Sequence, residues 1–480
     1  MISKNLEENR EELKKIFKNS SDLILYELDT LCNTKVIVGY IDGLVDKSRL
    51  NDNLIKPLIK DLISPQDVLC TIFIAGAKEV YDMNEISYPM TTGNAVLFIE
   101  GMNVAYLFEL NFWEKRTIEE SGNERVVRGP KEGFIEDINV NKALLRRIIR
   151  NNNFVFEDYI LGVQTNTQMS LAYIDGLVKQ EILDELRRRI ENIRIDGILD
   201  SAYIQRYIED APKTMICTIG YTQKPDVTAG KILEGRIAIL CDGSPDILTV
   251  PKLFIEDLQM AEDYYSRPQY GTFLRILRIF ALIASIVLPG FFVALKTFHQ
   301  EMIPTKLLMS MAKNIEEVPF TAFIEALLML FFIELIKESG LRIPSNIGTA
   351  VTVVSGIVIG QTAVQAGIVG PLMVIVIAIT GISEFIVPQQ REIIVIYRLI
   401  LLFLGGSLGL YGVVCGIVVM IIHLISLKSF GVPYMYPIAP YDREGMKDFI
   451  FMRSIKEMDY RPRAIVNKNA RKRNDIDEKK

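Results

Sequence analysis

ILRIFALIASIVLPGFFVAL, at residues 276–295, contains a single charged side chain, that of Arg278. A second apolar run, at residues 347–382, contains no charged side chain. A helix needs about 20 apolar residues to cross the ~30 Å hydrocarbon core of a bilayer. Both runs meet this requirement, so residues 274–427 are predicted to form a polytopic transmembrane helix bundle.

The last apolar run of this region, residues 393–427, is too long for one crossing. As a single helix it would measure about 52 Å, well beyond the ~30 Å that it has to span. Glycines at Gly405-Gly406 and from Gly409 to Gly412 offer a break, which would give two short crossings and six in total. Five crossings are the alternative. The other predicted spans are 275–296, 320–337, 347–366 and 369–388.

Charged residues are distributed unevenly along the chain. Residues 1–273 carry 32 Lys and Arg against 43 Asp and Glu, whereas residues 274–480 carry 22 against 16. The acidic front half argues against nucleic-acid binding, which needs a basic face for phosphate contacts. Residues 441–480 contain 12 Lys and Arg, and basic segments favour the cytoplasmic side of a membrane. Six crossings would place this basic tail on the same side as residues 1–273.

Two segments of the acidic half recur in the same order. YIDGLV at residues 40–45 recurs at residues 173–178, and residues 93–101 align with residues 235–243. Each copy combines apolar runs typical of strands with Asp-Gly turns and a following helical pattern. The sequence therefore predicts two duplicated small α/β modules with mixed sheets, followed by the transmembrane helices and a basic cytoplasmic tail.

These patterns divide the chain into six predicted segments. They are an N-terminal helix (1–30), a first α/β module (31–120), a linker (121–160), a second α/β module (161–266), the transmembrane domain (270–428) and the basic tail (429–480). The linker contains ERVVRGPKEGF, a charged loop with turn signals at Gly129-Pro130 and Gly133. Within it, Arg125, Arg128, Gly129 and Pro130 are candidate linker residues between the modules.

The sequence offers little for catalysis or metal binding. Its two histidines, His299 and His423, and its five cysteines lie far apart, so no Cys/His ligand set with a zinc-site spacing can be written. Motifs of phosphate loops, zinc proteases and serine hydrolases are also missing. We therefore predict no enzyme activity, no metal site and no cofactor.

Four polar side chains in the predicted spans are candidates for a pore or a gate. Charge at membrane depth costs about 3 kcal/mol unless it meets water or a partner. Glu325 and Glu334 lie near opposite faces of one helix, so they cannot both line one pore. Glu325 either forms a carboxylate ring in an oligomer or belongs to a buried structural ion pair, while Glu334 can pair with Lys337. Gln361 and Gln365 share a face and can either bond across helices or line a wet path.

Small residues spaced four apart in these spans indicate close contacts between helices. They form three pairs: Gly356 with Gly360, Gly405 with Gly409, and Gly412 with Gly416. We interpret the pairs as packing seams, and a role in gating is the alternative interpretation.

Several runs spread along the chain resemble one protein family. They include ERVVRGPKEGF at 124–134, AEDYYSRP at 261–268, TFHQEMIP at 297–304 and SFGVPY at 429–434. Together they resemble the A-subunit family of bacterial spore germinant receptors, the GerA type, over nearly the whole chain. Gln389-Gln390 departs from the polar or aromatic pair that this family tends to carry after Pro388.

The resemblance implies a function that composition does not reveal. A protein of this family would be a multi-pass protein of the spore inner membrane, with its N-terminal region and tail on the cytoplasmic side, and would act with B and C receptor subunits. It would help to sense nutrients and self-associate into a ligand-gated cation channel that triggers germination. The alternatives are a non-conducting scaffold or an F-type accessory of the dipicolinate release system, and a secondary transporter, which an inverted repeat would indicate.

Overall fold

The computed structural model describes residues 2–466, apart from 32, 61, 63–67, 73, 75, 112–123, 125–127, 307, 310–317, 343–344 and 459. Two five-stranded sheets, one in each α/β module, lie in the front half of the chain. We define the first module as residues 2–111 and the second module as residues 134–265, whose last helix bonds the rest of the module through Tyr265 and Asp226. Long helices follow, and the chain then returns to the second module.

The first module is a sheet between two helical layers. Its strands are β1 Leu23–Asp29, β2 Lys35–Ile41, β3 Lys78–Val80, β4 Asn94–Ile99 and β5 Ala105–Glu109, in the order β1-β2-β4-β5-β3. Its helices are α1 Leu6–Ile16, α2 Lys47–Arg49, a π-helical segment Leu50–Ile55, α3 Lys56–Lys60, α4 Val68–Thr71 and α5 Asn84–Thr91. Alternate residues of β2 face opposite layers, so Val36 packs with Leu54 on one side and Ile37 with Leu13 on the other.

The second module repeats this architecture. Its strands are β6 Phe154–Leu161, β7 Thr167–Ile174, β8 Gly220–Thr222, β9 Ile237–Cys241 and β10 Ile247–Val250, and its helices are α6 Ile138–Ile148, α7 Gln180–Glu191, α8 Ser201–Ile208 and α9 Pro225–Leu233. The order β6-β7-β9-β10-β8 is that of the first sheet, as the duplicated sequence predicts. Helices α6 and α9 cover one face of the sheet, and α7 and α8 cover the other.

Both repeats begin earlier in the chain than the sequence motifs indicate. The predicted boundary at 31 separates β1 from its partner β2, and the boundary at 161 separates β6 from β7. The prediction of mixed sheets was wrong, because every strand pair in the two described sheets is antiparallel. The connection from β2 to β4 contains β3 as well as helices, and it brings β4 into the sheet running opposite to β2.

Each repeat opens with the same buried asparagine. Asn9 donates its side-chain N–H to the carbonyl oxygen of Ser3 at 2.6 Å and accepts the N–H of Ser3 at 2.8 Å. Asn141 makes the same two bonds with Ile135, at 2.6 and 3.0 Å. These pairs fasten the segment that leads into α1 and into α6, and the correspondence shows that both helices belong to the repeat.

A buried ion pair joins the two modules. Arg146 of α6 donates to both carboxylate oxygens of Asp22, at 2.8 and 2.9 Å, and to the carbonyl oxygen of Phe154 at 2.7 Å. Arg146 and Asp22 are both buried. In the first repeat the position of Arg146 is taken by Lys14, which is half-buried and bonds Glu11 on its own helix.

Five long or apolar helices follow within the described residues. The short helix α10 Ala261–Tyr265 leads to α11 Pro268–Phe298, α12 Ala322–Arg342, α13 Ser345–Gln365, α14 Pro371–Ile386 and α15 Arg391–Ser426. By length and composition alone, two helical stretches of the described chain are apolar enough to cross a membrane, Pro268–Phe298 and Pro388–Ser426. Pro371–Ile386 is a shorter apolar helix.

Helix α15 folds back on itself at Gly409. This residue has φ 64° and ψ −149°, which is outside the helical range. Gly416 packs against Leu401, although 15 residues of straight helix would hold them about 22 Å apart. The helix therefore consists of two antiparallel arms, 391–408 and 410–426, that meet at one of the glycines predicted to break this run.

The helices run back and forth across one layer. Gln390, just before α15, bonds Asp257 of the second module, which defines the module end of the layer. Gly409 lies against Phe298 at the end of α11, which defines the distal end. Glu325 near the start of α12 bonds both Lys296 near the distal end of α11 and Gly370 before α14, so α12 and α14 also begin at the distal end. Over the described residues the chain makes six helical passes and returns to the second module.

The predicted tail, residues 429–480, is folded where it is described. A short hairpin of β11 Lys428–Ser429 and β12 Val432–Pro433 follows α15. Tyr434 is buried against Phe254 of the second module, and Val466 pairs with Val178. Residues 429–466 are thus part of the folded α/β region, because their apolar side chains complete its core, and residues 467–480 lie outside the described part of the chain.

Candidate functional site: an ionic junction and the polar residues of the helical layer

A buried ionic junction joins the second module to the first long helix. Asp263 of α10 is fully buried and accepts hydrogen bonds from Arg278 Nη1 at 2.6 Å and Arg275 Nε at 3.3 Å. Arg275 and Arg278 lie three positions apart on α11, so both reach the same side of the helix. One carboxylate between two guanidinium groups leaves an excess positive charge, which calls for a second acid.

Asp448 supplies this second acid and brings the C-terminal segment into the junction. Arg275 Nη1 donates to Asp448 Oδ1 at 2.9 Å, and the Tyr264 hydroxyl donates to Asp448 Oδ2 at 2.8 Å. Burial raises the pKa of Asp448, and Arg275 opposes that shift. Burial also raises the pKa of Tyr264 well above its usual value. Any displacement of α11 from the module has to carry these groups along or break their bonds.

Two adjacent acids, Glu256 and Asp257, tie the segment before α15 to the second module. Lys231 and Arg236 contact Glu256 at 2.8 and 3.0 Å. Burial opposes ionisation of Glu256, but the two cations outweigh it and lower the pKa of Glu256 to about 2. The next residue, Asp257, accepts a hydrogen bond from Gln390 Nε2 at 3.0 Å. The pair Gln389-Gln390, which departs from the family pattern, therefore supplies a contact to the second module.

The candidate linker packs beside this junction. Gly129 has φ +133°, and the Tyr265 ring lies 2.7 Å from the position that a Cβ would occupy, so this position requires glycine. The carbonyl oxygen of Pro130 accepts a hydrogen bond from Lys224 at 3.0 Å. Arg128 is exposed, and Arg125 lies outside the described residues. The linker motif and the AEDYYSRP motif, distant in sequence, thus meet in space.

Glu325 is buried at the distal end of the helical layer. Its Oε1 accepts a hydrogen bond from Lys296 Nζ at 2.6 Å, and its Oε2 accepts the backbone N–H of Gly370 at 2.9 Å. Gly370 precedes α14, so the carboxylate also meets the positive end of that helix. In the single chain both oxygens of Glu325 are occupied, and the residue connects α11, α12 and α14.

Glu334 belongs to a separate cluster nearer the module end. Its Oε1 accepts hydrogen bonds from Arg398 at 2.7 Å and from Lys337 at 3.2 Å. Both cations also bond Glu384 Oε2, at 2.9 and 2.6 Å, and Arg391 lies 3.6 Å from Glu384. The Glu384 side chain is buried. The cluster ties α12, α14 and the first arm of α15 together.

Gln361 and Gln365 lie on the surface of α13. Both side chains are exposed, and the same helix exposes Val354, Ile357 and Val358. Helix α13 packs chiefly against α12. The face of α13 that carries the two amides is therefore uncovered in a single chain.

The candidate packing glycines fall into two groups. Gly405 meets the backbone of Gly290 on α11, and Gly409, Gly412 and Gly416 lie in or beside the fold-back of α15. A Cβ at Gly360 would touch only Val374, at 3.5 Å. A Cβ at Gly356 would meet no described atom within 4 Å, so the packing role of this glycine stays a prediction.

Sequence reasoning anticipated Lys337 but missed the other cations of these clusters and the whole ionic junction. Lys296 and Arg398 lie in apolar helices, where an isolated charge is costly, and this was a usable signal for partners of Glu325 and Glu334. Asp263 and Asp448 gave no such signal, because acids are common in polar segments and nothing in the sequence relates positions so far apart.

The fold and these sites define a class of protein in which two repeated α/β modules are tied by buried ion pairs to a layer of helices. A sequence profile described as "Bacillus/Clostridium GerA spore germination protein" matches residues 11–464. The chain belongs to this GerA family, which confirms the resemblance seen in its motifs.

Relatives match over almost the full length of the chain. Spore germination protein KA of Bacillus subtilis (strain 168) is 41% identical over 461 residues, covering 94% of this chain and 85% of that protein. Spore germination protein GerLA of Bacillus cereus is 35% identical over 460 residues, covering 93% of each. Among solved structures, the N-terminal domain of the A subunit of the Bacillus megaterium spore germinant receptor GerK3 is 31% identical, with a TM-score of 0.43, and covers 53% of this chain and 97% of that one.

Proposed function

We propose that this chain is the A subunit of a spore germinant receptor and acts with B and C subunits in the spore inner membrane. Membership of the GerA family supports this role, and the long apolar helices support a membrane location. The helical layer starts and ends at the second module, which favours an even number of crossings. The 12 Lys and Arg of residues 441–480 favour the cytoplasmic side for this module and for the tail.

We propose further that several copies of the chain surround a cation path lined by α13. The exposed amides of Gln361 and Gln365 carry this proposal. Amide groups that face lipid lack hydrogen-bond partners, and leaving them so is costly. Copies of α13 arranged around water would satisfy these groups.

Glu325 is assigned a structural role in this proposal instead of a carboxylate ring. Its two oxygens are bonded to Lys296 and to Gly370, so the carboxylate holds the distal ends of three helices together. Replacement by glutamine would leave Lys296 buried without a counter-ion, which typically costs several kcal/mol. Glu325→Gln is therefore expected to reduce the amount of folded protein, while the ion flux per folded molecule stays unchanged.

In this proposal the ionic junction transmits the signal. A nutrient-dependent shift of the second module would pull on α11 through Arg275 and Arg278, and on the loop before α15 through Gln390. Such a shift can open a path only if the bound nutrient favours one of two conformations.

Potassium efflux from liposomes tests conduction. The liposomes hold the purified chain, alone and with its B and C partners, and a mixture of amino acids and sugars serves as the stimulus. Gln361→Leu is expected to lower efflux at least several-fold, while Val419→Leu, an exposed apolar position on the second arm of α15, leaves it unchanged. Absence of efflux from the complete wild-type complex would reject conduction and favour the scaffold alternative.

A further inference from the structure

In the first module, the residue that fills a notch at the end of the sheet comes from the module itself. Directly after β5, Asn111 forms an isolated antiparallel bridge with Val45. Asn111 lies over Gly93, with its Cα 3.3 Å from the position of a Cβ there. Gly93 has φ +97°, and the carbonyl oxygen of Leu44 lies 2.7 Å from the same position. These residues form a narrow notch where strands β2, β4 and β5 end or begin, and a continuation of β5 fills it.

The second module has the same notch, but a distant part of the chain fills it. Val178 and Gly235 are the repeat equivalents of Val45 and Gly93. Val178 forms its antiparallel bridge with Val466, and Val466 lies over Gly235, with its Cγ1 2.6 Å from the position of a Cβ. After β10 the module's own chain turns into the 3-10 helix Phe254–Leu258 and leads away to α11.

The inserted segment is fixed by apolar burial and by backbone contacts. Ile465 and Val466 are 0% and 3% exposed. Although adjacent, they enter the cores on opposite faces of the sheet. The N–H groups of both donate to the carbonyl oxygen of Pro462, at 3.0 and 3.2 Å, so the segment ends in a turn. Lys179 Nζ donates to the carbonyl oxygen of Ala464 at 2.6 Å, and Arg461 Nε donates to that of Leu233 at 2.7 Å.

We propose that the notch of the second module is a docking site for a short peptide segment that pairs with it through one antiparallel bridge, and that its occupant is the chain's own segment 461–466. The first module shows which backbone the notch accepts, since Asn111 occupies the equivalent place. The second module gives up its own strand continuation to start the helical layer, and the segment that follows the last helix replaces it. The module is thereby attached to both ends of the helical layer. This assignment does not depend on ion conduction.

Disulfide trapping in the full-length chain tests the occupant. Residues paired across an antiparallel bridge have Cα atoms about 4.5–5.5 Å apart, within the range that a disulfide spans. The pair Val178→Cys and Val466→Cys is oxidised in detergent, beside the matched pair Val45→Cys and Asn111→Cys from the first module. Single-cysteine variants report the background from native thiols.

Both pairs are expected to form a disulfide in most molecules, and both products are expected to migrate as monomers. Failure of the 178–466 pair under conditions in which the 45–111 pair forms would overturn the proposal. A disulfide-linked dimer would show that a second copy supplies the segment, and would overturn the assignment to the same chain.

Limited trypsin digestion provides a second test of whether segment 461–466 is docked in the notch. Val466→Asp places a charge in the core and is expected to release the segment, so cleavage after Arg463 should accelerate at least tenfold. Val466→Ile keeps the side chain apolar and should cleave at the wild-type rate. Equal cleavage rates for Val466→Asp and the wild type would contradict docking.

Discussion

The two α/β modules share a strand order and a buried asparagine, yet they are attached to their surroundings in different ways. The first module contacts the second through Asp22, which accepts hydrogen bonds from Arg146. The second module carries the ionic junction at Asp263 and both connections to the helical layer. The comparison teaches that residues common to both repeats specify the fold, whereas residues that differ between them, such as Lys14 and Arg146, specify how each copy is connected.

The largest loss of stability is expected at the ionic junction around Asp263, which only the second module has. Asp263→Asn leaves Arg275 and Arg278 with a neutral partner in a buried site, and breaking a buried ion pair costs about 3–5 kcal/mol. We expect a loss of about 4 kcal/mol in the free energy of unfolding, measured by circular dichroism on the purified protein in detergent. Glu181→Gln, an exposed acid on α7, serves as the control. A loss below about 1 kcal/mol would show that the junction is dispensable.

The contact between the modules ranks next. Arg146→Ala leaves Asp22 buried without its counter-ion, with an expected cost of about 3 kcal/mol. The repeat supplies a matched control, Lys14→Ala, which removes a half-exposed pair with Glu11 and should cost less than about 0.5 kcal/mol. Thermal unfolding of both variants measures the difference. Equal losses would show that the difference between Lys14 and Arg146 does not affect the stability of the protein.

Acid should weaken the second module through Glu256. The pKa of this group is lowered from 4.5 to about 2 in the folded chain. A lowered pKa contributes stability above the unfolded value, and that contribution is lost as the pH falls from about 4.5 through about 2. The shift corresponds to about 3 kcal/mol at most. Unfolding measured across this pH range should show the loss in the wild type, and Glu256→Gln should remove that part of the pH dependence.

The smallest effect tests the equivalence of the repeats. Asn9→Ala and Asn141→Ala each leave one backbone N–H and one carbonyl oxygen without their side-chain partner. Each substitution should cost about 2 kcal/mol, and the two losses should agree within about 0.5 kcal/mol. Chemical denaturation of the two variants provides the measurement. Clearly unequal losses would mean that the two asparagines play different roles.

Local patterns in the sequence predicted much of the fold. The recurrence of YIDGLV indicated the duplication, and uninterrupted apolar runs indicated the long helices, because both signals depend on neighbouring residues. The antiparallel pairing and the early start of each repeat were missed, since β1 and β6 share no motif. The Glu334–Lys337 pair, three positions apart on α12, was anticipated from helix spacing and is present.

Contacts between distant segments could not be predicted in this way. Asp263, Arg275 and Asp448 meet only after six helical passes have returned the chain to the module. Gly356 satisfied a spacing rule, but the rule does not say whether a neighbouring helix is present. Val466 gave no signal at all, because its place in the second module became visible only by comparison with Asn111 in the first.

The fold-back at Gly409 bears on how the two arms of α15 would enter a bilayer. Its tip consists of Leu408, Gly409, Leu410 and Tyr411, and none of these side chains is charged. Two helical arms joined by such a tip can enter a bilayer together, since no charged loop has to be carried through the hydrocarbon. In the proposed membrane arrangement, the last two passes would therefore insert as one unit after synthesis of the preceding helices, with Ser426 on the same side as the second module.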